Sequence, residues 1–115
     1  KQITTKCCQR MKAIDGAIIG PCISREHYEV GLDVIEAFES IGLRREEVAI
    51  ACKQSVEEKY LLDVGLAVSL QLQCLGIEQS KIHNVQVCTY SNPNFNSYRR
   101  DGKAAGRNWS CIALL

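Results

Sequence analysis

The chain has 115 residues, 46% of them hydrophobic and 23% charged, and 14 Lys and Arg against 13 Asp and Glu leave a net charge of +1. This is globular composition, which excludes a disordered tail, a collagen-like repeat or a coiled coil, and the length fits one domain or a large part of one. The balanced charge gives no field that would draw the chain to nucleic acid or to an anionic membrane surface.

Helical spacing begins at once. Ile3, Cys7, Cys8 and Met11 recur at threes and fours, so the chain, which opens on Lys1 without a Met, is expected to start inside a helix, as if cut there. Asp15-Gly16 supplies a turn, and Ala17, Ile18 and Ile19 before Gly20-Pro21 read as a short buried strand. A second helix is expected over 30–41, with Val30, Val34, Phe38 and Ile41 on one face and Gly42 as its stop. Residues 44–47 read as a polar turn and 48–52 as a strand. Ser55, with Glu58 three residues on, has the spacing of a capping box and predicts the start of a third helix. Leu61, Val64, Val68, Leu72 and Leu75 form its apolar stripe, Asp63 and Gln71 take other faces, and Gly76 closes it. After a loop at 78–81, Ile82, Val85 and Val87 suggest another strand, residues 89–108 a long polar loop, and 109–115 an apolar closing strand. Helices and strands alternate, so the class is α/β with at least one parallel pair. No repeat, low-complexity segment or linker divides the chain.

Seven cysteines, at 7, 8, 22, 52, 74, 88 and 111, form no C-x-x-C pair and lie mostly within apolar runs. That pattern fits thiols buried as small hydrophobes in a reducing cytoplasm rather than a disulfide framework, and Cys74 and Cys111 are expected to be shielded from solvent. The two histidines, His27 and His83, show neither H-x-x-x-H nor H-E-x-x-H spacing, so no self-contained metal site is expected in this chain.

Two stretches carry chemistry. Tyr98-Arg99-Arg100-Asp101-Gly102 places two guanidinium groups and a carboxylate beside a glycine turn. A guanidinium fork suits a phosphate, a carboxylate or a purine edge, and Asp101 could lock one Arg and leave the other available. An internal salt bridge tying the loop to the body accounts for the same residues equally well. The second stretch is Gly20-Pro21-Cys22, a turn at the end of a strand, where ligands commonly sit in α/β sheets. Cys22 is therefore the cysteine best placed to face a cleft. As a nucleophile it would need a base, and His27 reads more simply as a surface side chain before a helix, and His83 as the edge of a strand.

Several motifs in register resemble one family. They are Ile18-Ile19-Gly20-Pro21-Cys22-Ile23, Tyr28-Glu29-Val30, Asp63, Cys88-Thr89-Tyr90-Ser91-Asn92-Pro93, Ser97-Tyr98-Arg99-Arg100-Asp101-Gly102, Gly106-Arg107 and Ser110. Together they resemble the C-terminal part of the laccase-domain (YfiH-like) family, labelled polyphenol oxidase and regarded as purine nucleoside phosphorylases. The resemblance implies a four-layer α/β/β/α domain, of which residues 1–115 would be the C-terminal portion. It implies a cytoplasmic enzyme that splits purine nucleosides with phosphate and can deaminate adenosine. It further implies zinc or copper bound through two His and one Cys upstream of Lys1, which His27, His83 and Cys22 do not replace. Candidate substrate-binding residues carried over by the resemblance are Gly20, Pro21, Cys22, Tyr98, Arg99, Arg100 and Asp101. Asn96 and Ala105 depart from the family's pattern, where a second aromatic and a Thr are common. Beside this enzyme reading stands an alternative, a metal-free binding or structural module derived from the same family.

Overall fold

The computed structural model describes residues 14–40 and 51–111. Its strands are β1 (Ala17–Ile19), β2 (Glu29–Gly31), β3 (Cys52–Val56), β4 (Lys59–Leu62) and β5 (Ile82–Asn84). The helices are α1 (Leu32–Ser40), α2 (Val64–Cys74) and a single turn, α3 (Tyr98–Asp101), with short 3-10 turns at Arg25–His27, Gln79–Lys81 and Gly102–Ala104. The expected first helix, the Gly42 stop, the polar turn at 44–47 and residues 48–50 and 112–115 lie outside the described residues.

Two sheets form. β1 and β5 pair in parallel, Ala17 opposite Ile82 and Ile19 opposite Asn84. The chain between them passes through the second sheet and α2, as a parallel pair requires a crossover connection. The second sheet is antiparallel, in the order β2-β4-β3. The α/β class and the parallel pair are therefore as the sequence predicts.

α2 lies between two apolar clusters. Ala67 belongs to a core with Val30, Ile35, Ala51 and Leu62, while Leu72 belongs to a second with Ile19 and Ile77. A helix buried on more than one side carries no single apolar stripe. This is why Gln71, expected on another face, is instead buried. Gly76 closes the helix as expected, at φ 98°, a left-handed conformation that glycine adopts without a side-chain penalty.

Several boundaries differ from expectation. Val30 belongs to β2, not to the helix, which starts at Leu32. Ser55 does not open a helix: β3 and β4 form a hairpin whose turn is Glu57-Glu58, with Glu58 at φ 60°. The Ser55 hydroxyl donates to Glu29 Oε2 at 2.8 Å, across the sheet, so the capping-box spacing is coincidental. Leu61 lies in β4, and the helix is capped eight residues after Ser55, by Asp63, whose Oδ1 accepts the Leu66 N–H at 3.0 Å. An Asp at this position satisfies one of the orphan amides of the first turn and complements the helix dipole. Replacing Asp63 with Ala is expected to cost about 1 kcal/mol of stability, measured by urea unfolding at pH 7, and Asp63→Asn, which also caps, should cost less.

β1 is not a buried strand. Ile19 faces the core at 8% exposure while Ile18, on the opposite face of the pleat, is 73% exposed. β5 ends at Asn84 rather than running to Val87, because the Asn84 side chain accepts the Gln86 N–H at 3.0 Å and Gln86 takes φ 59°, which turns the chain out of the ladder. The long loop contains α3 and the Gly102–Ala104 turn, and Trp109 to Cys111 form no strand, Trp109 being 89% exposed. Cys74 and Cys111 are exposed, not shielded. Cys74 sits two residues, or about 200° of helix, past the buried Leu72, so its apolar neighbours occupy the interior in its place.

Candidate functional site

The carboxyl ends of β1 and β5 and the first turn of α2 converge on a cleft of about 370 Å³. Its walls include Cys22, Ser24, Arg25, Asp63, Gly65, Asn84 and Cys88. After the kinks at Gly20-Pro21 and at Gln86, the two chains rejoin. The Cys22 N–H donates to Val87 O at 3.1 Å and the Thr89 N–H to Cys22 O at 3.2 Å, which makes Cys22 and Cys88 directly opposed residues of a parallel bridge. Gly65 admits the close approach of the opposite wall, since a Cβ there would stand 2.6 Å from Asn84 Nδ2.

The two thiols have different surroundings. Burial is the main influence on Cys22 and, with the nearby Asp63 carboxylate and Cys88, pushes its pKa up, against a hydrogen bond from the Gly65 backbone. Burial also opposes ionisation of Cys88, but hydrogen bonds from the side chains and backbone of Ser24 and Ser91 outweigh it and bring the thiol down to about 6. The Ser24 N–H lies 3.3 Å and the Ser91 N–H 3.5 Å from Cys88 Sγ. Donors aimed at a sulfur favour the thiolate, the nucleophilic form. On the cleft's outer rim, Glu26 is held below the usual carboxylate range by its own backbone N–H and the Ser24 hydroxyl.

The arginine pair divides. The Arg100 guanidinium donates to the carbonyls of Thr89, Tyr90, Asn92 and Phe95 at 3.0, 2.9, 3.3 and 2.7 Å and is paired with Asp101 at 2.9 Å. Ser97 caps α3 beneath it, accepting the Arg100 N–H at 3.3 Å. Arg100 and Asp101 are thus the clamp that shapes the loop leaving Cys88. Arg99 is exposed, donates one bond to Glu29 O at 3.3 Å and lies 4.8 Å over the Tyr28 ring. Tyr98 is 71% exposed.

Of the seven sequence-predicted site residues, the structure puts only Cys22 in the wall of this cleft. Gly20 and Pro21 form the kink that presents it, Gly20 also bordering a second cleft lined by Ile18, Lys81, His83 and Cys111. His27 is a surface residue, stacked on Tyr90 with ring centres 4.5 Å apart. Sequence reasoning missed Ser24, Arg25, Asp63, Asn84 and Cys88 as neighbours in one site. The usable signal was that Ser24-Arg25 and Cys88 each follow a strand of one parallel pair, and that Asp63 stands three residues before an amide it can cap.

Zinc or copper was implied by the family resemblance. Among the described residues no group of three or more His, Cys, Asp or Glu side chains is arranged to hold a metal ion, so these residues do not fit such a centre. No helix among them is long and apolar enough to cross a membrane.

Comparison with known proteins bears on the family and the fold. The family model described as multi-copper polyphenol oxidoreductase laccase matches residues 1–115. The Shigella flexneri protein named purine nucleoside phosphorylase YfiH is 38% identical over 100 residues, covering 86% of this chain and 38% of that protein. The Bacteroides thetaiotaomicron protein named purine nucleoside phosphorylase is 32% identical over 99 residues, covering 85% of this chain and 36% of its own length. Among solved structures, a Neisseria meningitidis protein of the DUF152 family superposes with a TM-score of 0.75 at 30% identity, covering 88% of this chain and 41% of that one. The Bacillus licheniformis hypothetical protein YfiH gives a TM-score of 0.67 at 29% identity over 73% of this chain and 31% of that one. The chain therefore spans well under half the length of these relatives. A match along all 115 residues, a mixed α/β fold shared with solved relatives and the motifs at 18–23, 88–93 and 97–102 place the chain in the laccase-domain, YfiH-like family.

Proposed function

We infer that this chain forms one wall of the substrate cleft of a cytoplasmic purine nucleoside phosphorylase, as the C-terminal portion of a laccase-type domain. The observation that carries this reading is the cleft at the carboxyl ends of β1 and β5, in a chain whose relatives bear that enzyme's name. The relatives' greater length supports the remainder of the domain being supplied by other residues. Any zinc or copper of the complete domain is then held outside the described residues.

Phosphorolysis joins a phosphate oxygen to C1′ of the ribose and breaks the bond from C1′ to the purine nitrogen, whose electron pair leaves with the base. Such a site needs cationic groups for phosphate and hydrogen-bond partners for base and sugar. Arg25 supplies a guanidinium group to the cleft lining, and Asn84 and Gln86 add polar residues to it. Cys22, set by the Gly20-Pro21 turn, is the wall at the centre. Arg100 and Asp101 shape the loop from Thr89 to Phe95, while Arg99 and Tyr98 offer a second cation and an exposed ring beside it.

The test is release of hypoxanthine from inosine by the enzyme that contains this chain, with and without phosphate, while ammonia release from adenosine reports deamination separately. Base release that requires phosphate is expected. Nucleoside binding without turnover would instead favour the binding-module reading.

A further inference from the structure

We propose that Cys22 and Cys88 form a reversible redox pair, a site at which peroxide closes a disulfide within the wall of the cleft. Three observations carry this. The two residues face each other in one parallel bridge, where neighbouring strands lie about 4.8 Å apart, inside the Cα separation that a disulfide spans. Directly opposed residues point to the same face of a pleat, and both side chains line the same cleft, within reach of a small oxidant. The Ser24 and Ser91 N–H groups converge on Cys88 Sγ, at 3.3 and 3.5 Å, where they stabilise negative charge on sulfur.

The roles follow from the surroundings. Cys88 is the attacking thiolate, with its pKa brought to about 6, and Cys22, whose pKa is raised, is the resolving thiol. Cys88 thiolate attacks hydrogen peroxide, the O–O bond breaks, and a sulfenic acid and hydroxide form. The Cys22 sulfur then displaces the sulfenic oxygen, giving the disulfide. The Cys22 proton and the departing hydroxide leave as water. The two sulfurs lose two electrons in total and the peroxide gains them. The bond joins two residues that line the cleft side by side, so the oxidised cleft cannot present Cys22 and Cys88 separately to a ligand.

The proposal concerns the thiols alone and stands whatever reaction the cleft serves. The test treats the reduced protein with hydrogen peroxide at pH 7, quenches with iodoacetamide and reads intact mass and peptide maps. The expected result is a loss of 2 hydrogens and a peptide linking Cys22 to Cys88, at peroxide levels that leave the exposed Cys74 and Cys111 alkylatable, with recovery on dithiothreitol. The variant Cys22→Ser should instead accumulate a dimedone-reactive sulfenic acid at Cys88. A linkage through any other cysteine, or oxidation of Cys74 and Cys111 before Cys88, would overturn the proposal, and the wild-type map decides it even if a variant fails to fold.

Discussion

Replacing Arg100 with Lys is expected to lower stability by about 2–3 kcal/mol, the scale of charged hydrogen bonds lost with carbonyls left unpaired. A lysine ammonium is a single point and cannot span the four carbonyls of Thr89, Tyr90, Asn92 and Phe95 while also meeting Asp101. The Arg100 side chain is 27% exposed and Asp101 40%, so the ion pair itself is screened and contributes little, and the carbonyl contacts carry the effect. Thermal unfolding monitored by circular dichroism checks this. Arg99→Lys is the control: an exposed cation over Tyr28 is worth about 0.5–1 kcal/mol, part of which Lys retains. Equal melting temperatures for Arg100→Lys and wild type would contradict the clamp.

The second large effect is in pH. Cys88 is expected to be alkylated by iodoacetamide with a midpoint near its pKa of about 6, against an ordinary thiol value of 9.0. At pH 7 its thiolate fraction is then about ninety-fold that of an ordinary thiol, although the lower basicity of the sulfur reduces the gain in rate. The same shift sets a stability window. A thiol whose pKa is lower in the folded chain contributes stability that is complete above the unfolded value of 9.0 and is lost as pH falls through about 6. Between those values stability should rise with pH relative to Cys88→Ser, as measured by urea unfolding at pH 6, 7.5 and 9. A midpoint near 9 and parallel stability curves would contradict the hydrogen-bonded thiolate.

What was legible in the sequence was local. Ala17–Ile19 before Gly-Pro, and Gly76 after the apolar helix, announce a strand and a helix end because the turn residues act on their own backbone. The β3–β4 hairpin was not legible: Ser55 and Glu58 imitate a cap, and a left-handed Glu58 is a turn residue no propensity would choose. The choice between a bound anion and an internal bridge at Arg99-Arg100 likewise could not be made locally. It turns on which carbonyls the folded loop presents, and Arg100 takes them. The thiolate character of Cys88 was not legible either, because its donors come from Ser24, 64 residues away, and from Ser91. The motif resemblance reached further than periodicity did, since it identified the family without identifying which side chains face the cleft.

In the proposed function, nucleoside sits in the cleft lined by Cys22, Arg25, Asn84 and Cys88. Its most direct test is the rate of Cys88 alkylation, read by peptide mass in the enzyme that contains this chain, as inosine is raised at fixed phosphate. The expected result is a saturable fall in that rate, with half-protection at the same inosine concentration that half-saturates binding measured by calorimetry, while exposed Cys74 reacts unchanged. An alkylation rate at Cys88 that stays constant up to inosine concentrations that saturate the enzyme would place the nucleoside elsewhere.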